Sequence, residues 1–138
     1  MKLVIDTNIF WVSVSRRSST NWIFQALING KFTLCVTTDI LLEYEEILSQ
    51  KLGHQVAESV MKILDNLYNI EFVTNYFFWK LIRADYDDNK FVDCFIACNA
   101  NYLATNDKHF NVLRNLDFPK INVISLDELT ILLRNRIV

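Results

Sequence analysis

Five acidic residues are spaced so that they could act together on one substrate: Asp6, Glu43, Asp88, Asp93 and Asp107. Asp6 ends the apolar run of "LVIDTNIF", and Asp107 ends "YLATND" late in the chain. A carboxylate after an apolar strand either caps the helix that follows or lines the crevice where the strands stop. If several converge, each pair about 4 Å apart repels by roughly 4 kcal/mol at an effective dielectric near 20. Neither strand-end motif contains a lysine or arginine to offset this. Mg2+ or Mn2+ would, since both prefer oxygen ligands and bind through a few carboxylates, water and substrate phosphate. The matching chemistry acts on phosphoryl oxygens: polarising the phosphate, activating a water and offsetting charge on the leaving oxygen.

Helical periodicity orders some of these acids. In "DILLEYEEILSQKL", Ile40, Leu41, Tyr44, Ile47, Leu48 and Leu52 form the apolar stripe, so Glu46 points away while Glu43 and Glu45 flank it on opposite sides, undecided. Asp88 precedes Phe91, Val92 and Phe95 by three, four and seven residues, which sets it on the inward stripe. Asp93 falls on roughly the opposite side, beside Ile96, Ala97 and Ala100.

The elements that must position these residues alternate. Strand-like runs at residues 3–5, 32–36, 70–73, 102–104 and 121–124 are separated by helical patterns. Thr20 opens a helix to Ile28, Thr38 or Asp39 one to about Leu52, Gln55 one to Tyr68, and Asp88 one to Ala100; Ser125 and Glu128 form a capping box. Continuous apolar strands alternating with helices predict an α/β fold with a mostly parallel sheet covered on both faces. The 138 residues, 51% hydrophobic, suffice for one domain with a sizeable core. No apolar stretch spans a membrane, so we expect a cytoplasmic protein with no membrane partner. Cys35, Cys94 and Cys98 read as buried packing thiols, because no CxxC or Cys/His cluster completes a metal site. A net charge of −2 leaves nucleic acid to a local patch or a bridging cation. Two glycines cannot build a phosphate-cradling loop, which excludes dinucleotide and P-loop chemistry.

Four blocks carry a family resemblance: "VIDTNIF", "LLEYEEIL", "DYDDNKFVDCFIA" and "ANYLATNDKHF". In order and spacing they resemble the motifs of the PIN-domain ribonucleases over nearly the whole chain, most closely the bacterial VapC-like toxins of toxin–antitoxin pairs. The resemblance implies a single-domain three-layer α/β sandwich spanning residues 1–138 and Mg2+- or Mn2+-dependent cleavage of single-stranded RNA. It implies catalytic and metal-binding acids at Asp6, Glu43, Asp88 and Asp107, choosing Glu43 over Glu45. Aligned on "FVDCFIA", Asp93 takes the place of the third acid; aligned on "DDNKF", Asp88 does, and its inward position favours it. An antitoxin protein and a second copy of the chain are further expected partners.

Thr7, Asn8, Thr105 and Asn106 flank the strand-end acids and are candidates to order those carboxylates or a metal-bound water, a role that turn and capping duties rival. Arg16, Arg17, Lys90 and Lys108 lie near the acids and are candidates for RNA phosphate contacts. His109 reads as a solvated first-turn residue, and "YFFWK", residues 76–80, as a core wedge. Two other classes compete. An aspartyl phosphotransferase using Asp6 expects a second acid two residues on, where Asn8 stands. A binding module without catalysis gains nothing from clustered negative charge.

Overall fold

The apolar runs become strands of one sheet. A computed structural model describes residues 1–137 and contains β1 (Lys2–Ile5), β2 (Thr33–Val36), β3 (Ile70–Phe72), β4 (Tyr102–Ala104) and β5 (Val123–Ile124). They pair in the order β3-β2-β1-β4-β5, every pair parallel. Consecutive side chains of a strand point to opposite faces, yet Leu3 and Val4, like Leu34, Cys35 and Val36, are fully buried. Both faces of the central strands are therefore covered, as the expected sandwich requires. Phe32 and Ile121 enter the core without joining the ladder, so two strands are shorter than their apolar runs.

Six α-helices surround the sheet among the described residues: α1 (Thr7–Val14), α2 (Asn21–Ile28), α3 (Thr38–Leu52), α4 (His54–Asn66), α5 (Asn89–Cys98) and α6 (Leu126–Ile137). Helix α3 is capped by Thr37, one residue before the expected position, whose hydroxyl accepts the Ile40 N–H at 3.3 Å. The α6 capping box forms as read: Ser125 Oγ accepts from Glu128 N and Glu128 Oε1 from Ser125 N, each at 3.1 Å. Helix α5 ends at Asn99, whose φ of 55° is the left-handed conformation that asparagine tolerates. No helix among the described residues is long and apolar enough to cross a membrane.

Between β3 and α5 the chain runs without regular structure through residues 73–85, apart from bends. Two α5 side chains hold it: Asn89 accepts from Ile82 N and donates to Ile82 O, both at 2.9 Å, and Asp93 accepts from Trp79 N at 3.1 Å. The aromatic cluster here is no core wedge. Tyr76, Phe77 and Phe78 are exposed, because backbone ties and buried Ile82, rather than ring burial, seat the segment.

Strand order reverses between β1 and β4, since the chain passes from β1 outward to β3 and then returns to fill the other side. In open parallel sheets the crevice at the carboxyl ends of such neighbours is the ligand site. Asp6 leaves the end of β1 and Thr105 the end of β4, with Asp6 N donating to Ala104 O at 2.9 Å.

Candidate active site

Asp6 is buried at this reversal, but its side chain caps nothing. Its Oδ2 accepts the Thr105 hydroxyl at 2.7 Å, across the gap between β1 and β4. The next residue, Thr7, donates its hydroxyl to Glu43 Oε2. Tyr44 explains how α3 delivers that glutamate. Its ring stacks on Phe10 of α1 with centroids 4.0 Å apart, and its hydroxyl donates to Ile5 O at the end of β1. With Tyr44 locked inward, Glu43 faces the crevice and Glu45 points to solvent beside α4. The tie left open by periodicity is thereby resolved geometrically.

Glu43 Oε1 lies 2.9 Å from Lys90 Nζ, which is also 2.9 Å from Asp87 Oδ2. Burial works against the Lys90 ammonium, but the bonds to Glu43 and Asp87 outweigh it and hold its pKa above the ordinary value. Lys90 is thus engaged by carboxylates. Arg16 and Arg17 line a separate groove with Lys51 between α1 and α4, while Lys108 is exposed.

On the β4 side, Asp107 Oδ1 accepts the His109 N–H at 2.9 Å, starting the 3-10 turn of Lys108–Asn115. The His109 ring returns between two acids, with Nδ1 3.3 Å from Asp88 Oδ2 and 3.4 Å from Asp107 Oδ1. Asp88, at the start of α5, makes no capping bond with its side chain. Donor atoms of Asp85, Asp88 and His109 all lie within 4.8 Å of one another. Sequence reasoning missed His109, Asp85 and Asp87; the signal for His109 was its place two residues after Asp107, within reach of the same strand end.

The charges act on each other. Burial raises the Asp6 pKa most, against the Thr105 hydrogen bond, and the negative charges of Glu43 and Asp107 raise it further. Burial likewise lifts Asp88, to about 6, opposed by His109 and reinforced by Asp107, Asp85 and Asp6. Asp6, Glu43, Asp88 and Asp107 therefore share one electrostatic site. Asp93 stands apart: on the side of α5 away from the sheet-facing stripe, as its period predicts, it is nevertheless buried, taken up by Trp79 N, and its pKa is raised by burial. Asn106 serves as a cap, accepting from Leu126 N at 3.0 Å, whereas Asn8 is exposed and lines a cleft with Asp6 and Asp107.

The PIN domain family model matches residues 2–109, a span that contains every acid of the crevice. The chain belongs to the PIN domain family. Solved PIN-like structures share the fold. A chain of the Rickettsia felis VapBC2 structure, bound to a DNA fragment from its promoter, superposes with a TM-score of 0.61 at 20% identity, covering 91% of this chain and 98% of that one. The Mycobacterium tuberculosis toxin VapC20, which cleaves the sarcin-ricin loop, gives 0.54 at 18% identity over 73% and 86%. The PIN domain endonuclease Utp24 gives 0.52 at 20% identity over 91% and 84%. No match to a curated protein was found. In this PIN domain the acids sit at the reversal of strand order, held by Thr7, Thr105 and His109.

Proposed function

We propose that this PIN domain is a Mg2+- or Mn2+-dependent endoribonuclease that cuts single-stranded RNA in the cytoplasm. The observation that carries this is the convergence of four carboxylates: burial raises the pKa values of Asp6 and Asp88, the charges of Glu43 and Asp107 raise Asp6 further, and those of Asp107, Asp85 and Asp6 raise Asp88 further. Lys90 and His109 are the basic side chains that pair with Glu43, Asp88 and Asp107 among the described residues. Their donor set is hard oxygen, which fits Mg2+ or Mn2+ and not a soft metal. Asp6, Asp88 and Asp107 would hold the cation, with Glu43 reaching it directly or through water. When bound, it would polarise a phosphate and lower the pKa of a water.

The chain's own groups prepare that site. Thr105 and Thr7 fix the orientation of Asp6 and Glu43, so that little freedom is lost when substrate arrives. Lys90 holds Glu43 to α5, and His109 holds Asp88 near Asp107. Lys108, Arg16 and Arg17 are the cations we assign to RNA phosphates, Lys90 being committed to its ion pairs. The likeness to VapBC2 and VapC20 supports a further step, that the chain is the toxin of a toxin–antitoxin pair whose antitoxin protein covers the crevice.

The test is cleavage of single-stranded RNA by purified protein with Mg2+ or Mn2+. Activity should vanish with EDTA and return with excess metal. Cleavage that persists in the chelator, with contaminating nuclease excluded by an inactive Asp6→Asn preparation, would overturn the proposal.

A further inference from the structure

A second cluster of ligating side chains lies away from the acids, at the other end of α5. Cys35 on β2 and Glu71 on β3 are register partners, so their side chains leave the same face of the sheet. The last turn of α5 brings Cys98 onto that face, with Cys94 one helical turn earlier on the same side. The Cys35 and Cys98 sulfurs and a Glu71 carboxylate oxygen all lie within 4.8 Å of one another. Cys35 Sγ is 3.7 Å from Glu71 Oε2. All three cysteines are buried free thiols.

Packing alone explains the thiols but not the carboxylate among them. Glu71 is held there deliberately: Lys2 Nζ lies 3.0 Å from its Oε1 and also donates to Cys98 O at 3.2 Å, leaving Oε2 turned toward the sulfurs. A tetrahedral Zn2+ with bonds of about 2.3 Å to sulfur and 2.0–2.2 Å to oxygen places neighbouring ligand atoms roughly 3.5–3.8 Å apart. The Cys35–Glu71 separation of 3.7 Å matches, and Cys98 lies within 4.8 Å of both. Thiolates select Zn2+ over Mg2+ or Mn2+, and Lys2 takes up part of the excess negative charge.

We propose that Cys35, Cys98 and Glu71 form a structural zinc site, completed as a four-ligand site by Cys94 from the preceding helical turn once its side chain rotates toward the ion, that joins β2 and β3 to the C-terminal end of α5. Binding transfers the thiol protons to water and changes no oxidation state. With all four positions filled by the chain, the site braces the fold and does no chemistry on a substrate. It is independent of the nuclease assignment.

Cobalt gives the test, because thiolate ligands produce a near-ultraviolet sulfur-to-cobalt charge-transfer band that carboxylates at the acid site do not. Full-length protein, reduced and stripped of metal, is titrated with Co2+. The band should saturate, disappear when Zn2+ displaces Co2+, persist in Asp6→Asn and vanish in Cys98→Ser. Glu71→Gln, at a partly exposed position expected to tolerate the change, should weaken Co2+ binding by on the order of 10-fold or more. Zn2+ should also raise the thermal midpoint of the wild type, with circular dichroism checking that each variant is folded. Absence of the band overturns the proposal, as does unchanged Co2+ affinity in Glu71→Gln.

Discussion

The two ends of α5 hold opposite kinds of ligand. At its start, Asp88 and Lys90 meet Asp107, His109 and Glu43, all oxygen and nitrogen groups in a crevice reached by solvent. At its finish, Cys98 meets Cys35 and Glu71 beneath the helix, where the sheet is covered, with Cys94 a turn earlier on the same side. The acid end stores repulsion, since neighbouring carboxylates add to burial in raising the proton affinity of Asp6 and Asp88. The thiol end can rest neutral, because a protonated thiol packs like a small apolar group. One helix therefore separates a site under electrostatic load from one that is comfortable without metal, and substitutions at the two ends should behave differently.

The largest expected effect is at the acid end. Asp6→Asn keeps the shape and the Thr105 contact but removes the charge, and cleavage of RNA at a fixed Mn2+ concentration should fall by on the order of 100-fold or more. A variant within a few-fold of wild type would break the contrast.

Next comes the middle of α5. Asp93→Ala strands the Trp79 N–H in a partly buried place and should cost about 1–3 kcal/mol in urea unfolding, with a smaller effect on cleavage than Asp6→Asn. A cleavage loss as large as that of Asp6→Asn, in a folded variant, would return Asp93 to the acid site.

Glu43→Gln against Glu45→Gln sharpens the boundary of the acid end. The first should reduce cleavage by roughly 10-fold, the second should leave it at the wild-type level, since only Glu43 touches Thr7 and Lys90. Equal losses would mean that the electrostatic site extends to the outer face of α3.

The smallest effect tests the stored repulsion itself. In EDTA, Asp88→Asn removes one of the mutually repelling charges and should raise stability by about 0.5–2 kcal/mol while impairing metal-dependent cleavage. A lower thermal midpoint than wild type in EDTA would show that the acids are balanced without a cation.

Much of this contrast was legible in the sequence, and unevenly so. Asp6 and Asp107 announced themselves because strand ends in a parallel sheet are predictable from local pattern, and the pattern itself survived as five parallel strands. Glu43 needed the third dimension: its choice over Glu45 follows from Tyr44 reaching Ile5 O, a contact between residues far apart in the chain. The burial of Asp93 was missed because periodicity sees only the sheet-facing stripe of α5. It cannot see an irregular segment folding back over the other side, as residues 73–85 do to meet Asp93 and Asn89. The same blindness put the "YFFWK" rings in the core, when three of them are exposed. The thiol cluster was illegible for a related reason. Its donors come singly from β2 and β3 and as a pair from α5, with no local spacing to betray them.

The bond from Leu126 N to Asn106 Oδ1 makes the C-terminal helix a tether for the acid loop. Asn106 stands between Thr105, which grips Asp6, and Asp107, which grips His109, so tension on α6 is passed directly to both. The family match stops at residue 109, short of that helix, yet α6 also buries Leu129 and Leu133. For anyone trimming or grafting this domain, the matched region is therefore not a severable unit. Cutting after it removes the anchor of the acid loop, and a bulky fusion that displaces α6 acts on the crevice from behind, like pulling the pin from a hinge.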